Sequence, residues 1–333
     1  MCRWRPPRAV GTIAPAMTTR RSFLTTAAAA LASPLADLGC IADRPASNAS
    51  PASPGRPRTV TRVVDARPTI EGAGVHLRRS LGSPALPLLD PFLLLDEVHS
   101  DRPEDYMAGF PTHPHRGFET VTYVLEGAAE HRDSMGNHGR LAAGAAQWMT
   151  AGRGLVHSEM PSLVAGGMWL FQFWVNLPRA HKMTAPRYQD VAPEHIVEAR
   201  HGDARVRLVA GSLDGRTGPV QGVVTAPQML DLQLDARGRT AVGVAPDHTA
   251  FAYGVAGRVK LGPDEAPLRA GQLAVLSPGD RVLAKSDEGG RFLLVSARPI
   301  GEPVARGGPF VMNTDDEIRQ AWDDYRSGRL VQP

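Results

Sequence analysis

Residues 111–117 read Pro-Thr-His113-Pro-His115-Arg-Gly, and residues 155–160 read Leu-Val-His157-Ser-Glu159-Met. On an extended chain, alternate side chains point to the same side. His113 and His115 therefore share a face, and so do His157 and Glu159. Pro114 disfavours the helical region for His113 and keeps it extended. Two such strands set across a barrel interior would turn three imidazole nitrogens and one carboxylate toward a common centre. A lone His-x-His in a β protein is more often a structural pair; two such dyads in one lobe make a ligand set. That set suits a first-row divalent ion and resembles the facial triad of non-haem Fe(II) oxygenases with one further His. On a six-coordinate ion it leaves two positions open.

The surroundings of these stretches are all-β in character. Strand candidates follow one another with turn signals between them. Thr120–Leu125 is closed by Glu126-Gly127, Ala128–Arg132 runs into the turn-rich 133–137, and Gln147–Thr150 is turned by Gly152-Arg153-Gly154. Leu155–Met160 and Trp169–Asn176 continue the series. Asp90-Pro91-Phe92-Leu93-Leu94-Leu95-Asp96-Glu97 is an apolar run bounded by acids, the pattern of a buried strand. Thr59–Val64 starts the folded body. The spacing predicts a sandwich or barrel. Gly152-x-Gly154 has no third glycine and no following helix, so it reads as a hairpin turn rather than a dinucleotide fingerprint.

The second half repeats the style. Short strand candidates lie at 206–209, 229–234, 251–253, 258–261, 273–276 and 292–296, with a turn at Ser277-Pro278-Gly279-Asp280. After His201 the only histidine is His248, so three imidazoles cannot assemble there. One helix is expected at the end. Thr314 and Glu317 form a capping box, Asp315, Asp316 and Glu317 suit its N-terminal end, and Ile318, Ala321, Trp322 and Tyr325 make one apolar face. It is expected to pack on a sheet.

Outward to the N-terminus the sequence changes character. Thr19-Arg20-Arg21-Ser22-Phe23-Leu24 is a twin-arginine pattern followed by an Ala/Leu-rich run to Leu38. The run has the length of a signal peptide and is too short to span a membrane. The reading is export to the periplasm by the twin-arginine route, with 1–42 as the signal segment and 43–58 as a Pro/Ser/Ala linker. Gly39-Cys40 has the form of a lipid-attachment site, although Asp37 stands where an aliphatic residue is expected; a lipid anchor at Cys40 stays an open alternative. Both cysteines, Cys2 and Cys40, lie in this segment, so the body forms no internal disulfide.

The charge follows the same division. The chain of 333 residues carries +3 overall. Residues 1–58 hold eight of its 37 Lys and Arg and two of its 34 Asp and Glu, leaving 29 against 32, or −3, in the rest. No dense basic run occurs there, and no nucleic-acid partner is expected. Arg116 and Arg153 read as solvated surface, with steering of an anionic substrate as the alternative. His131 and His138 read as supporting or structural residues rather than ligands. Trp148, Trp169, Phe171, Phe173 and Trp174 read as core or pocket lining.

The run from Gly109 to Met160, with Gly-Phe-Pro-Thr-His-Pro-His-Arg-Gly-Phe-Glu-Thr-Val-Thr-Tyr-Val-Leu-Glu-Gly, then Glu130–Asn137 and Gln147–Met160, resembles the pirin family. Asp90–Glu97 and Gly308-Pro309-Phe310-Val311-Met312-Asn313-Thr314 resemble it too, so the likeness spans nearly all of 59–333. One departure is Thr112, where an acidic residue is common; it touches no ligand. The resemblance implies a bicupin: two cupin-type β-barrel or jelly-roll lobes and a short C-terminal helix. The metal-binding lobe would be 59–185 and a lobe without a metal site 186–333. It further implies iron held by His113, His115, His157 and Glu159, quercetin 2,3-dioxygenase chemistry on a flavonol-like aromatic with O2, and a monomer. Glu159 would also take the substrate's hydroxyl proton. Fe(II) is the expected ion, and Mn, Ni, Co, Zn or Cu could occupy the same ligands. The alternative function is a non-catalytic, metal- or redox-dependent binding protein of the cell envelope.

Overall fold

A computed structural model describes residues 55–162 and 166–331. The twin-arginine segment, both cysteines and residues 43–54 lie outside the described residues. The chain is built from antiparallel strands. Asp315–Arg326 is the one α-helix among the described residues, and none there is long and apolar enough to cross a membrane.

The first lobe has two sheets of jelly-roll type that do not close into a barrel. The larger runs Arg187–Val191, Ala146–Thr150, Phe118–Glu126, Met168–Asn176, Phe92–Ser100, Val75–Leu81, Arg67–Glu71. The smaller runs Phe110–His115, Leu155–Ser162, Ala128–Asp133, His138–Ala142. The second lobe is organised by a ten-stranded sheet.

The central strands of the larger sheet are buried on both faces, so they read as continuous apolar runs rather than alternating ones. In Met168–Asn176, Met168, Leu170, Gln172 and Trp174 line the first lobe's cavity. Phe171, Phe173 and Val175 alternate with them and join Val209, Phe251, Tyr253, Leu273 and Leu293 of the second lobe in one core cluster. Sheet therefore packs on sheet between the lobes. Trp148 belongs to that core, and Trp169 packs beside it and donates to Glu97 at 3.0 Å.

Strand pairing departs from sequence order at the expected boundaries. Val60–Asp65 pairs with Gln272–Leu276 of the second lobe, whereas Arg187–Val191 pairs with Ala146–Thr150 of the first. Residues 55–58, read as linker, belong to the fold. Arg58 is 1% exposed and donates to the carbonyls of Ser277 (3.2 Å) and Ala245 (2.8 Å). The candidates 251–253 and 258–261 are one strand, Thr249–Leu261, with a bulge between Gly254 and Ala256. The bulge bends the strand at Gly254 without ending it.

Candidate metal centre

His113 and His157 lie directly opposite each other on hydrogen-bonded antiparallel neighbours, Phe110–His115 and Leu155–Ser162. The sequence reading set these strands across a barrel interior; they are adjacent in one sheet. Directly opposed side chains start only about 5 Å apart at Cβ, so neighbouring strands suffice to bring the rings together. A register irregularity between His157 and Glu159 places Glu159 opposite Phe110.

The three imidazoles converge. His113 Nε2 lies 3.0 Å from His115 Nε2 and 3.0 Å from His157 Nε2. His113 Nδ1 donates to the Pro111 carbonyl at 2.9 Å, and His115 Nδ1 donates to the Pro309 carbonyl at 3.2 Å. A carbonyl can only accept, so in the neutral rings these bonds fix the Nδ1–H tautomer and leave each Nε2 a bare lone pair. The two lone pairs face each other without a proton between them, an arrangement that a cation stabilises. Two nitrogens each about 2.1 Å from one ion, at right angles, are about 3 Å apart. The donor set thus fits a first-row metal ion. Burial, reinforced by His113, pushes His115 down to about 3, and burial with His115 and His113 holds His157 well below the usual range. Both remain neutral across ordinary pH, the state that metal binding requires of an imidazole.

Glu159 approaches from the same face. Its Oε2 lies 4.0 Å from His157 Nε2, and the Thr122 hydroxyl lies 3.3 Å from its Oε1 and 2.8 Å from Gln172 Oε1. Burial raises its carboxyl above the usual range, opposed by His113 and the Thr122 contact. Among the described residues, the tight metal-ligand cluster comprises His113, His115 and His157; Glu159 stands beside it. His131, opposite Glu159 across the ladder, is buried, stacks on Tyr188 at 5.2 Å and points Nε2 at Asp190, 3.5 Å away. His138 is exposed. His248 bonds Ser296 at 3.2 Å in the second lobe, far in fold from this cluster.

A cavity of about 670 Å³ is lined in part by His113, His115 and Glu159. Val75, Leu77, Leu94, Val98 and Leu170 give it apolar walls. Its polar groups include Arg79, which holds Asp96 through two 2.7 Å bonds and Glu71 through a third. Arg306 lies over the Trp174 ring, 4.7 Å from its centre. No local pattern places Arg306 at the cavity, although it lies just before the 308–314 motif. The motif's role is structural closure: Pro309 orients His115, and Val311 N donates to Arg116 O at 3.0 Å. Arg116, read as solvated surface, is 2% exposed and bonds Asp324 of the C-terminal helix at 2.8 Å.

The sequence profile of the Pirin family matches residues 74–175, and that of the Pirin C-terminal cupin domain matches 229–331. A pirin-like protein of Caulobacter vibrioides is 44% identical over 275 residues, spanning 82% of this chain and 99% of its own. Human pirin is 41% identical over 280 residues, spanning 83% and 94%. The crystal structure of quercetin 2,3-dioxygenase from Acinetobacter baumannii superposes with a TM-score of 0.75 at 31% identity, covering 82% of this chain and 98% of that one.

Proposed function

The chain belongs to the pirin family, and from that premise we propose that it is a metal-dependent dioxygenase that opens the heterocycle of a flavonol such as quercetin with O2. The observation that carries the reading is the three-histidine cluster, of which His113 and His115 line a largely apolar cavity of the size typical for small-molecule sites, roughly 300–1,000 Å³. His113, His115 and His157 would hold the ion, with Glu159 as fourth ligand. An Fe(II)-type ion supplies Lewis acidity toward the substrate hydroxyl and redox chemistry toward O2; Mn, Ni, Co, Zn or Cu would fit the same donors.

The chain's own groups do the remaining work. Glu159 lines the cavity beside the imidazoles, where it can take the flavonol hydroxyl proton. Thr122 and Gln172 set the direction of that carboxylate. The apolar walls exclude water from a flat aromatic ligand. Arg306 stands at the cavity over the Trp174 ring, near Asp96 and Glu71 but with no hydrogen-bonded acid among the described residues, so its positive charge favours the ionised form of a phenolic substrate.

The test is quercetin-dependent oxygen uptake by the whole protein, loaded anaerobically with Fe(II), beside Glu159→Ala. Uptake with release of carbon monoxide, lost in a variant that still holds iron, supports the reading. No uptake from a sample with iron in every chain sinks it and leaves the metal-dependent binding protein. The twin-arginine pattern at 19–24 supports export as a companion proposal. Changing Arg20 and Arg21 to Lys should leave the protein inside the cell; unchanged periplasmic recovery would refute it.

A further inference from the structure

The second lobe carries a basic concavity that the metal chemistry does not use, and strand register builds it. Glu198, Arg207 and Asp231 are successive cross-strand partners, and so are Arg200, Arg205, Gln233 and Arg291. Both rungs stand on the face opposite the second lobe's own core, because the alternating Val206 and Leu232 are buried in that core. Arg216 joins from a short hairpin, and the walls enclose about 530 Å³.

The charges there do not balance. Five arginines line the concavity against Glu198 and Asp231. Asp231 is already held by Arg291 at 2.8 and 2.6 Å and by the Tyr123 hydroxyl at 2.7 Å. Arg207 takes Glu198 at 3.2 Å, and Arg205 reaches outward to Asp235 at 3.1 Å. The Arg200 and Arg216 side chains have no hydrogen bond or ion pair among the described residues. Arg200 also sits directly opposite Arg205, both exposed. Like charges at directly opposed positions destabilise an antiparallel pair. An oxyanion removes that repulsion: neighbouring strands are about 4.8 Å apart, and the planar guanidinium fork matches phosphate oxygens two at a time.

We propose that this concavity is a binding site for a small, multiply charged phosphate-bearing anion, separate from the metal centre. Binding is read by calorimetry on the whole protein at constant ionic strength, with inorganic phosphate in one arm and a hexose bisphosphate in the other. The expected result is saturable binding, tighter for the bisphosphate. Tighter binding of inorganic phosphate would assign the site to the free ion instead of an ester and overturn the multiply charged ligand. Arg200→Gln with Arg216→Gln should weaken binding at least about ten-fold, as loss of two charge-assisted contacts implies. Arg319→Gln with Arg326→Gln, an equal charge change on the exposed helix face, should not. Neither Arg200 nor Arg216 supports the fold through a partner, so the unliganded double variant should melt no lower than the parent. His157→Ala should retain binding. No saturable binding, equal weakening in the helix control, or loss in His157→Ala would each overturn the proposal. So would an oligonucleotide that binds where the bisphosphate does not.

Discussion

At the scale of single residues, the decisive feature is the orientation of ring nitrogens. Strand alternation places His113 with His115 and His157 with Glu159 on shared faces, and this much is readable from the spacing. Which nitrogen turns toward the shared centre is not. Carbonyls of Pro111 and Pro309 decide it, and Pro309 lies 194 residues from His115. Arg306 is likewise invisible until the C-terminal segment returns to Trp174. On the proposed function, Arg306→Gln should raise KM for the ionised flavonol several-fold, about 1 kcal/mol of ground-state binding, with kcat little changed. Steady-state oxygen uptake separates the two parameters, and an unchanged KM would remove Arg306 from recognition.

At the scale of elements, the C-terminal segment is the piece that completes the first lobe. The capping box of Thr314 and Glu317 forms as the sequence implies, and Phe310, Ala321, Trp322 and Leu330 pack with Val156, beside His157. Gly117 makes the approach possible. Its φ is +88°, and a Cβ there would lie 2.0 Å from the Val311 carbonyl. Lys182 is the clamp, donating to the carbonyls of Gly117 (2.8 Å) and Val311 (2.9 Å) and to Asn176 Oδ1 (2.7 Å). Lys182→Met leaves these acceptors unmet and should cost about 3 kcal/mol, measured by denaturant unfolding. Burial lowers the Lys182 ammonium to about 8, with Glu302 and Glu317 opposing, against roughly 10.4 when unfolded. Between these values the unfolded chain binds more protons, so this group's contribution to stability rises with pH across the window. The parent's stability should therefore climb relative to Lys182→Met from pH 8 to 10; parallel curves would contradict the assignment.

At the scale of the whole molecule, two lobes share one core and two buried hydroxyl–carboxylate contacts. Tyr253 of the second lobe donates to Glu97 of the first at 2.6 Å, and Tyr123 of the first donates to Asp231 of the second at 2.7 Å. Burial, with the adjacent carboxylates, pushes both phenols well above their ordinary range. Each therefore stays a donor in the folded state, and its contribution is present below pH 10 and lost above it, where the unfolded phenol ionises first. Tyr253→Phe leaves Glu97 with Arg78 at 2.7 Å and Trp169 and should cost about 1–2 kcal/mol. Calorimetry should show the lobes melting together in the parent and variant alike, since Phe92, Phe171 and Phe251 still pack between them. Separate transitions in the parent would show that the shared core does not couple them.

Local pattern determined much of this protein. Turn residues and apolar runs marked the central strands of both lobes, the apolar run at 92–95 announced a buried strand, and two spaced dyads announced the imidazole cluster, whereas Val75–Leu81, Arg187–Val191, Val197–His201, Arg239–Gly243 and Arg281–Lys285 carried no such signal. These signals act over a few residues, where backbone geometry alone sets which side chains share a face. Tertiary structure decided what depends on partners distant in the chain. It made the ligand strands neighbours rather than facing pairs and sent Val60–Asp65 into the far lobe's sheet. It buried Arg58 and Arg116 and gathered five scattered arginines into one concavity. Burial and charge pairing are properties of the packed chain, because the surface removed from water belongs to both partners and only the fold chooses them.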